Sequence, residues 1–167
     1  MRRAATIGAT LAASCAAAAA ATAAVPSNAR ISSAGLGPIE IGMSERQVEK
    51  AAGRGITRSG PEGSTCTTAT LGNGVALLFT GPRLTRVYVT GRRYATSKGI
   101  RVGDSQSRTI AAYAGKLKRS PHKFTPGGLY LKLTIANRRL VFSTDGRKVT
   151  EISGGRKPEI DYVEGCA

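Results

Sequence analysis

One short string occurs twice in this chain, and any fold must house both copies. Ile39-Glu40-Ile41-Gly42-Met43-Ser44 runs on into Val48 and Gly53. Ile100-Arg101-Val102-Gly103-Asp104-Ser105 follows 61 positions later and runs on into Ile110 and Gly115. In the first copy, Ile39 and Ile41 share one side of an extended segment. Ser44 then stands as a helix N-cap with Gln47 three residues on, a capping box that satisfies two backbone amides lacking intrahelical partners. Val48, Ala51 and Ala52 form the buried stripe of a short helix, and Gly53 supplies the left-handed stop. The second copy repeats the order with one residue inserted in the first helical turn. Ile110, Tyr113, Ala114 and Gly115 then match Val48, Ala51, Ala52 and Gly53. Leu117 extends that stripe, and Lys116, Lys118 and Arg119 meet the negative end of the helix dipole.

Strand-like runs follow each predicted helix. After the first come Thr65–Leu71, Val75–Thr80 and Leu84–Thr90, punctuated by Asn73-Gly74 and Gly81-Pro82. After the second, Leu129, Leu131, Leu133 and Ile135 alternate with Tyr130, Lys132 and Thr134, the clearest strand signal in the chain. Arg139–Ser143 and Lys148–Ser153 complete the set around the hairpin signal Thr144-Asp145-Gly146. Arg54–Ser64 and Ser120–Gly128 read as loops. The expected fold class is therefore α+β, with two tandem repeats, each a short helix packed on an antiparallel meander of about three strands. The organisation is a leader over 1–29, one repeat over 30–96, and a second over 97–167 that carries a C-terminal tail.

The leader is a targeting segment. Arg2-Arg3 precede an uncharged Ala-rich run from Ala4 to Ala24, and small residues at Thr22/Ala24 or Ser27/Ala29 suit a signal-peptidase cut. The expected location is secreted. The alternatives are a retained membrane anchor, or lipid attachment at Cys15 within Leu11-Ala12-Ala13-Ser14-Cys15. Cleavage leaves two cysteines, Cys66 and Cys166, and an even count in an exported chain points to a disulfide. It would close a loop of about 100 residues and contribute up to ~4–5 kcal/mol in the chain-entropy model.

The Gly-(Met/Asp)-Ser turns with their glycine-stopped helices, read on Gly42 to Gly53 and Gly103 to Gly115, resemble the SmpA/OmlA-type repeat. Tandem copies in exported proteins are similar to the β-lactamase inhibitor protein family and to secreted actinobacterial proteins of unassigned role. The tail Pro158-Glu159-Ile160-Asp161-Tyr162-Val163-Glu164-Gly165-Cys166 adds to the second likeness. The resemblance implies a non-enzymatic binding protein, with inhibition of a secreted enzyme as the alternative function. The second copy departs from the pattern at Asp104, where Met is usual. No residue of this chain matches the inhibitor's loops, so no inhibitory residue is assigned.

Catalytic signatures are missing from the sequence. His122, the single histidine, lies in Ser120-Pro121-His122-Lys123-Phe124 with no neighbouring nucleophile and acid to complete a hydrolytic set; a small hydrolase built on it is the least favoured reading. Glu45 and Glu49 share a helix face with Arg46 and Lys50 and read as a solvated surface. The expectation is no enzyme, no catalytic residue, no metal site and no cofactor. Charge is more telling. The chain carries 25 Lys and Arg against 10 Asp and Glu, a formal net charge of +15. Without Arg2 and Arg3 this becomes +13, spread over both repeats. A basic surface attracts polyanions. Strand alternation places Arg86 with Tyr88, and Tyr130 with Lys132, on outward faces. These four are the candidate binding residues, since Tyr and Arg anchor many interfaces. The expected partner is a protein or an anionic envelope polymer, and export argues against genomic nucleic acid.

Overall fold

Residues 25–61 and 63–166 are described by the structure, a computed structural model. Residues 1–24 of the predicted leader, including Arg2, Arg3 and Cys15, lie outside the described residues, whereas Val25 and Ala29 pack on the core. Three two-residue strands come first: β1 (Ile31–Ser32), β2 (Gly35–Leu36) and β3 (Ile39–Glu40), which pair as a small antiparallel sheet. Helix α1 (Glu45–Ala52) follows, then β4 (Thr57–Ser59), β5 (Cys66–Gly72), β6 (Val75–Thr80) and β7 (Arg83–Val89). The remaining elements are α2 (Gln106–Ala112), β8 (Lys118–Pro121), β9 (Leu129–Ile135), β10 (Arg138–Thr144), β11 (Val149–Arg156) and a 3-10 turn at Glu159–Asp161. Strands β4 to β11 form one eight-stranded sheet in the order β4-β5-β6-β7-β11-β10-β9-β8, antiparallel throughout.

The expected α+β chain of two helix-plus-three-strand repeats is therefore corrected. The protein is mostly β, with helices of only 8 and 7 residues, and its halves do not build separate meanders. They merge along β7 and β11, where Tyr88 pairs with Ser153 and Arg86 with Gly155. Each half also supplies a fourth strand that alternation could not reveal. Thr57-Arg58-Ser59 and Lys118-Arg119-Ser120-Pro121 are the sheet's two edges, largely exposed and polar on both faces. Charge and a terminal proline on an edge strand discourage pairing with other chains. The last predicted strand, Lys148–Ser153, runs on through Gly154-Gly155 as β11. A side chain on Gly155 would press on the Thr85 carbonyl and Arg86, and one on Gly154 would collide with the Ser32 carbonyl. Only glycine lets β7 and the small sheet approach β11 so closely.

The inner face of the large sheet, with Leu77, Phe79, Val87, Phe142 and Ile152, packs against α1 and the small sheet through Val48, Ala52, Ile31, Leu36 and Ile39 in one apolar core. Helix α1 begins and ends as its sequence predicts. Ser44 Oγ accepts from the Gln47 amide at 3.4 Å, Gln47 Oε1 accepts from the Ser44 amide at 2.8 Å, and Gly53 adopts φ 63°. The second copy differs. Ile100 and Val102 are buried but not in a strand, and α2 ends at Ala112 with Tyr113 as its cap. The inserted residue turns Thr109 inward and leaves Ala114 exposed. Thr109 tolerates burial because its hydroxyl donates to the Ser105 carbonyl at 3.0 Å.

Candidate functional site

The outer face of the sheet is set by the same registers. Across it run Tyr88, Ser153, Val141 and Lys132 in one row, with Arg86 and Arg139 on one side and Glu151, Ser143 and Tyr130 on the other. In the structure the C-terminal tail folds back over this face, and its end is tied down by the Cys66–Cys166 disulfide, with the two Cα atoms 5.4 Å apart. The predicted cysteine pairing is thus present. It joins the start of β5 to the end of the tail. Between tail and sheet lies a cleft of about 430 Å³.

All four candidate binding residues line this cleft, although β7 and β9 are separated in the sheet by β11 and β10. They are not equally available. Arg86 is buried, at 8 % exposure, and its guanidinium is already engaged. It donates to the Tyr162 carbonyl at 2.8 Å, to Ser153 Oγ at 3.2 Å and to Glu151 Oε1 at 3.4 Å, while lying 4.1 Å over the Tyr88 ring. Arg86 therefore holds the tail and floor in place. Lys132 is half-buried, 3.6 Å from Asp161 Oδ1 and 5.5 Å over the Tyr130 ring. Tyr130 stacks on His122 with ring centroids 4.3 Å apart. His122 Nδ1 accepts from the Phe124 amide at 3.2 Å, which fixes the loop that carries Phe124 to the rim.

Burial tunes two groups here. Desolvation pushes the Glu151 carboxyl above its ordinary value, opposed in part by the positive charge of Arg86. Desolvation likewise raises the Tyr88 phenol, again against Arg86. Both shifts follow from placing an ionisable group where water is scarce.

Sequence reasoning assigned the other half of the site to no binding role, and weighed His122 only as a catalytic candidate. Glu151, His122, Phe124, Asp161 and Tyr162 all line the cleft. Glu151 was recoverable, since alternation places it with Ser153 on the outer side of β11. Asp161 and Tyr162 were not, because nothing in a short tail says which surface it will cover. Phe124, Tyr162 and Val163 are large apolar side chains left exposed, at 59 %, 41 % and 46 %, and together they rim the cleft. The two helix carboxylates are used locally. Glu45 pairs with Arg58 at 3.3 Å, and Glu49 accepts from the Ile56 amide at 3.3 Å. Among the described residues, no three His, Cys, Asp or Glu side chains gather as a metal-ion set.

No family model matches the chain, and no curated protein matches it. Among solved structures it is similar to the crystal structure of the uncharacterized protein yfeY from Escherichia coli, with a TM-score of 0.52 and 14 % identity over 76 % of this chain and 99 % of that one. At that identity the likeness concerns the fold alone.

Proposed function

We propose that the protein is an exported, non-catalytic binding module that engages an envelope component or a secreted protein through the cleft beneath its tail. One observation carries this reading. Residues from non-neighbouring strands, Arg86 and Tyr88 with Tyr130 and Lys132, meet around a single cleft whose rim keeps Phe124, Tyr162 and Val163 in solvent. Exposed aromatic and apolar groups flanked by charge are what a partner desolvates with profit. Export is supported by the Ala-rich leader and by a disulfide that spans most of the mature chain. No helix among the described residues is long and apolar enough to cross a membrane. The resemblance of the Gly-x-Ser turns to the SmpA/OmlA-type repeat points the same way, toward binding without catalysis. The partner is a protein or an anionic envelope polymer; this reading needs neither genomic nucleic acid nor a small-molecule cofactor.

The test is affinity capture from culture supernatant and envelope fractions across a salt series. Wild type is compared with a Phe124→Ala/Tyr130→Ala variant, which spares the buried Arg86. A component retained by wild type and lost by the variant is expected. Equal retention by both, or none by either, overturns the assignment of the cleft.

A further inference from the structure

The tail that closes the cleft differs in charge from everything beneath it. Residues 158–167 hold three acids, Glu159, Asp161 and Glu164, and no Lys or Arg. The rest of the chain after the leader has 23 Lys and Arg against seven acids. Each tail acid meets a cation of the body or of the adjoining strand. Asp161 pairs with Arg139 on β10 and lies 3.6 Å from Lys132 on β9. Glu164 meets Lys123 at 2.6 Å, and Glu159 meets Arg156 at 2.8 Å. The Tyr162 carbonyl takes a hydrogen bond from Arg86, and Ile160 is buried at 3 % exposure. Past Tyr162 the attachment thins. Among the described residues, 163–166 make no main-chain hydrogen bond to the sheet, and what holds them is the Glu164 pair and the disulfide. The tail is thus read by the outer face as an apolar–acidic–aromatic–acidic segment that opens on the 3-10 turn at Glu159–Asp161, held by side chains and a covalent end.

We propose that this face is a docking site for an acidic, aromatic-bearing polypeptide segment, and that the C-terminal segment from Pro158 to Cys166 is a tethered occupant of that same site. The inference rests on the reading of the cleft as a binding face and names the chemistry of its partner. The disulfide keeps the tail at high local concentration, so a free segment must outcompete an intramolecular one. Cations already arranged around Asp161 and Glu164 would serve an incoming carboxylate in the same positions. In the cleft Arg86 is met by Glu151 of the sheet itself, whereas Lys132 is met by Asp161 of the tail.

The experiment uses a fluorescein-labelled peptide of residues 158–167 in which serine replaces the cysteine. Its binding is followed by fluorescence anisotropy to three folded proteins: wild type, a Cys66→Ser/Cys166→Ser variant, and a chain ending at Lys157. The truncated chain is expected to bind at least ~10-fold more tightly than disulfide-closed wild type, about 1.4 kcal/mol. The variant with both cysteines replaced should fall between them. A peptide carrying Asn and Gln in place of Asp161 and Glu164 should bind markedly less well. Should the truncated chain fail to fold, an Asp161→Asn/Glu164→Gln change in the double-serine protein loosens the tail without deleting Ile160 and takes its place. Equal affinity for acidic and neutralised peptides, or no gain on opening the tail, overturns the inference. Preferential binding of polyphosphate over the peptide also overturns it, in favour of a polyanion site. Salt-dependent capture of a partner by wild type with no peptide binding sinks this inference alone; loss of capture as well removes the reading of the cleft beneath it.

Discussion

The two faces of the large sheet are built on different rules. The inner face is apolar, continuous and closed by α1 and the small sheet. The outer face carries an ionic floor of Arg86, Glu151 and Ser153 and is closed by a tail held through ion pairs and one disulfide. Hydrophobic burial is non-directional, so the inner face tolerates neighbours of many shapes while losing much when volume is removed. Ionic closure is directional and loses little when a partner is exposed, but much when a buried charge is left alone. The protein thus places its apolar core on one side of the sheet and its ionic, covalently tied closure on the other.

The largest effect should come from breaking the inner side. Phe142 is fully buried and its ring lies 5.3 Å from that of Tyr113. Phe142→Ala should lose about 3–5 kcal/mol, read by urea denaturation followed by far-UV circular dichroism. A loss below ~1 kcal/mol would mean the inner face is not the dominant store of stability. The outer side should respond differently. Replacing both Cys66 and Cys166 by serine removes a cross-link closing 100 residues, a loss of about 2–4 kcal/mol. Hydrogen exchange should then show faster exchange confined to the tail and the start of β5, with the β9–β10–β11 core protected. Uniform loosening of the sheet would show that the tail is part of the core and not a cover.

That contrast also explains what the sequence could and could not tell. Two strands were legible for different reasons: Leu129–Ile135 writes a period of two, and Val75–Thr80 is a short apolar run bounded by turn residues; both emerge within their predicted bounds. The first helix was legible because Ser44, Gln47 and Gly53 encode its ends locally. The merging of the halves was not, because it depends on Gly154 and Gly155 being small where two elements converge. On the outer face, Arg86, Tyr88, Tyr130 and Lys132 were found by alternation, and the cleft gathers them. Their roles were not legible, since Arg86's partners come from β11 and from a tail 76 positions away in sequence. A smaller test separates local from tertiary encoding. Gln47→Ala removes half of the α1 capping box and should cost about 0.5–1 kcal/mol in thermal unfolding. The analogous change at Arg108, which pairs with Asp104 at 2.9 Å from an exposed position, should cost less, about 0.3–0.5 kcal/mol.

The smallest effect is a difference in slope with pH, and it places the two faces of one hairpin against each other. Asp145 sits at the β10–β11 turn, and its carboxylate accepts from the Lys148 and Arg147 amides at 2.7 and 2.8 Å, which lowers its pKa below the ordinary 3.8. A depressed carboxyl contributes stability that is present above the ordinary value and lost as pH falls through the folded one. Glu151, a few residues along β11, is shifted the other way, above the ordinary 4.5, by burial in the cleft floor. There the folded protein retains a proton that the unfolded chain has released. Stability from this group therefore declines as pH rises from the ordinary value through the raised one, and is level above it. Melting temperatures measured across acid to neutral pH should separate the two. Glu151→Gln should flatten the decline above the ordinary glutamate value, whatever constant offset follows from losing the Arg86 pair. Asp145→Asn should flatten the loss at the acid end and leave the upper limb unchanged. A Glu151→Gln curve parallel to wild type at every pH would mean that Arg86 neutralises the carboxylate fully. The cleft floor would then hold a pair whose attraction cancels its burial, and the distinction drawn between the two faces would fail at that point.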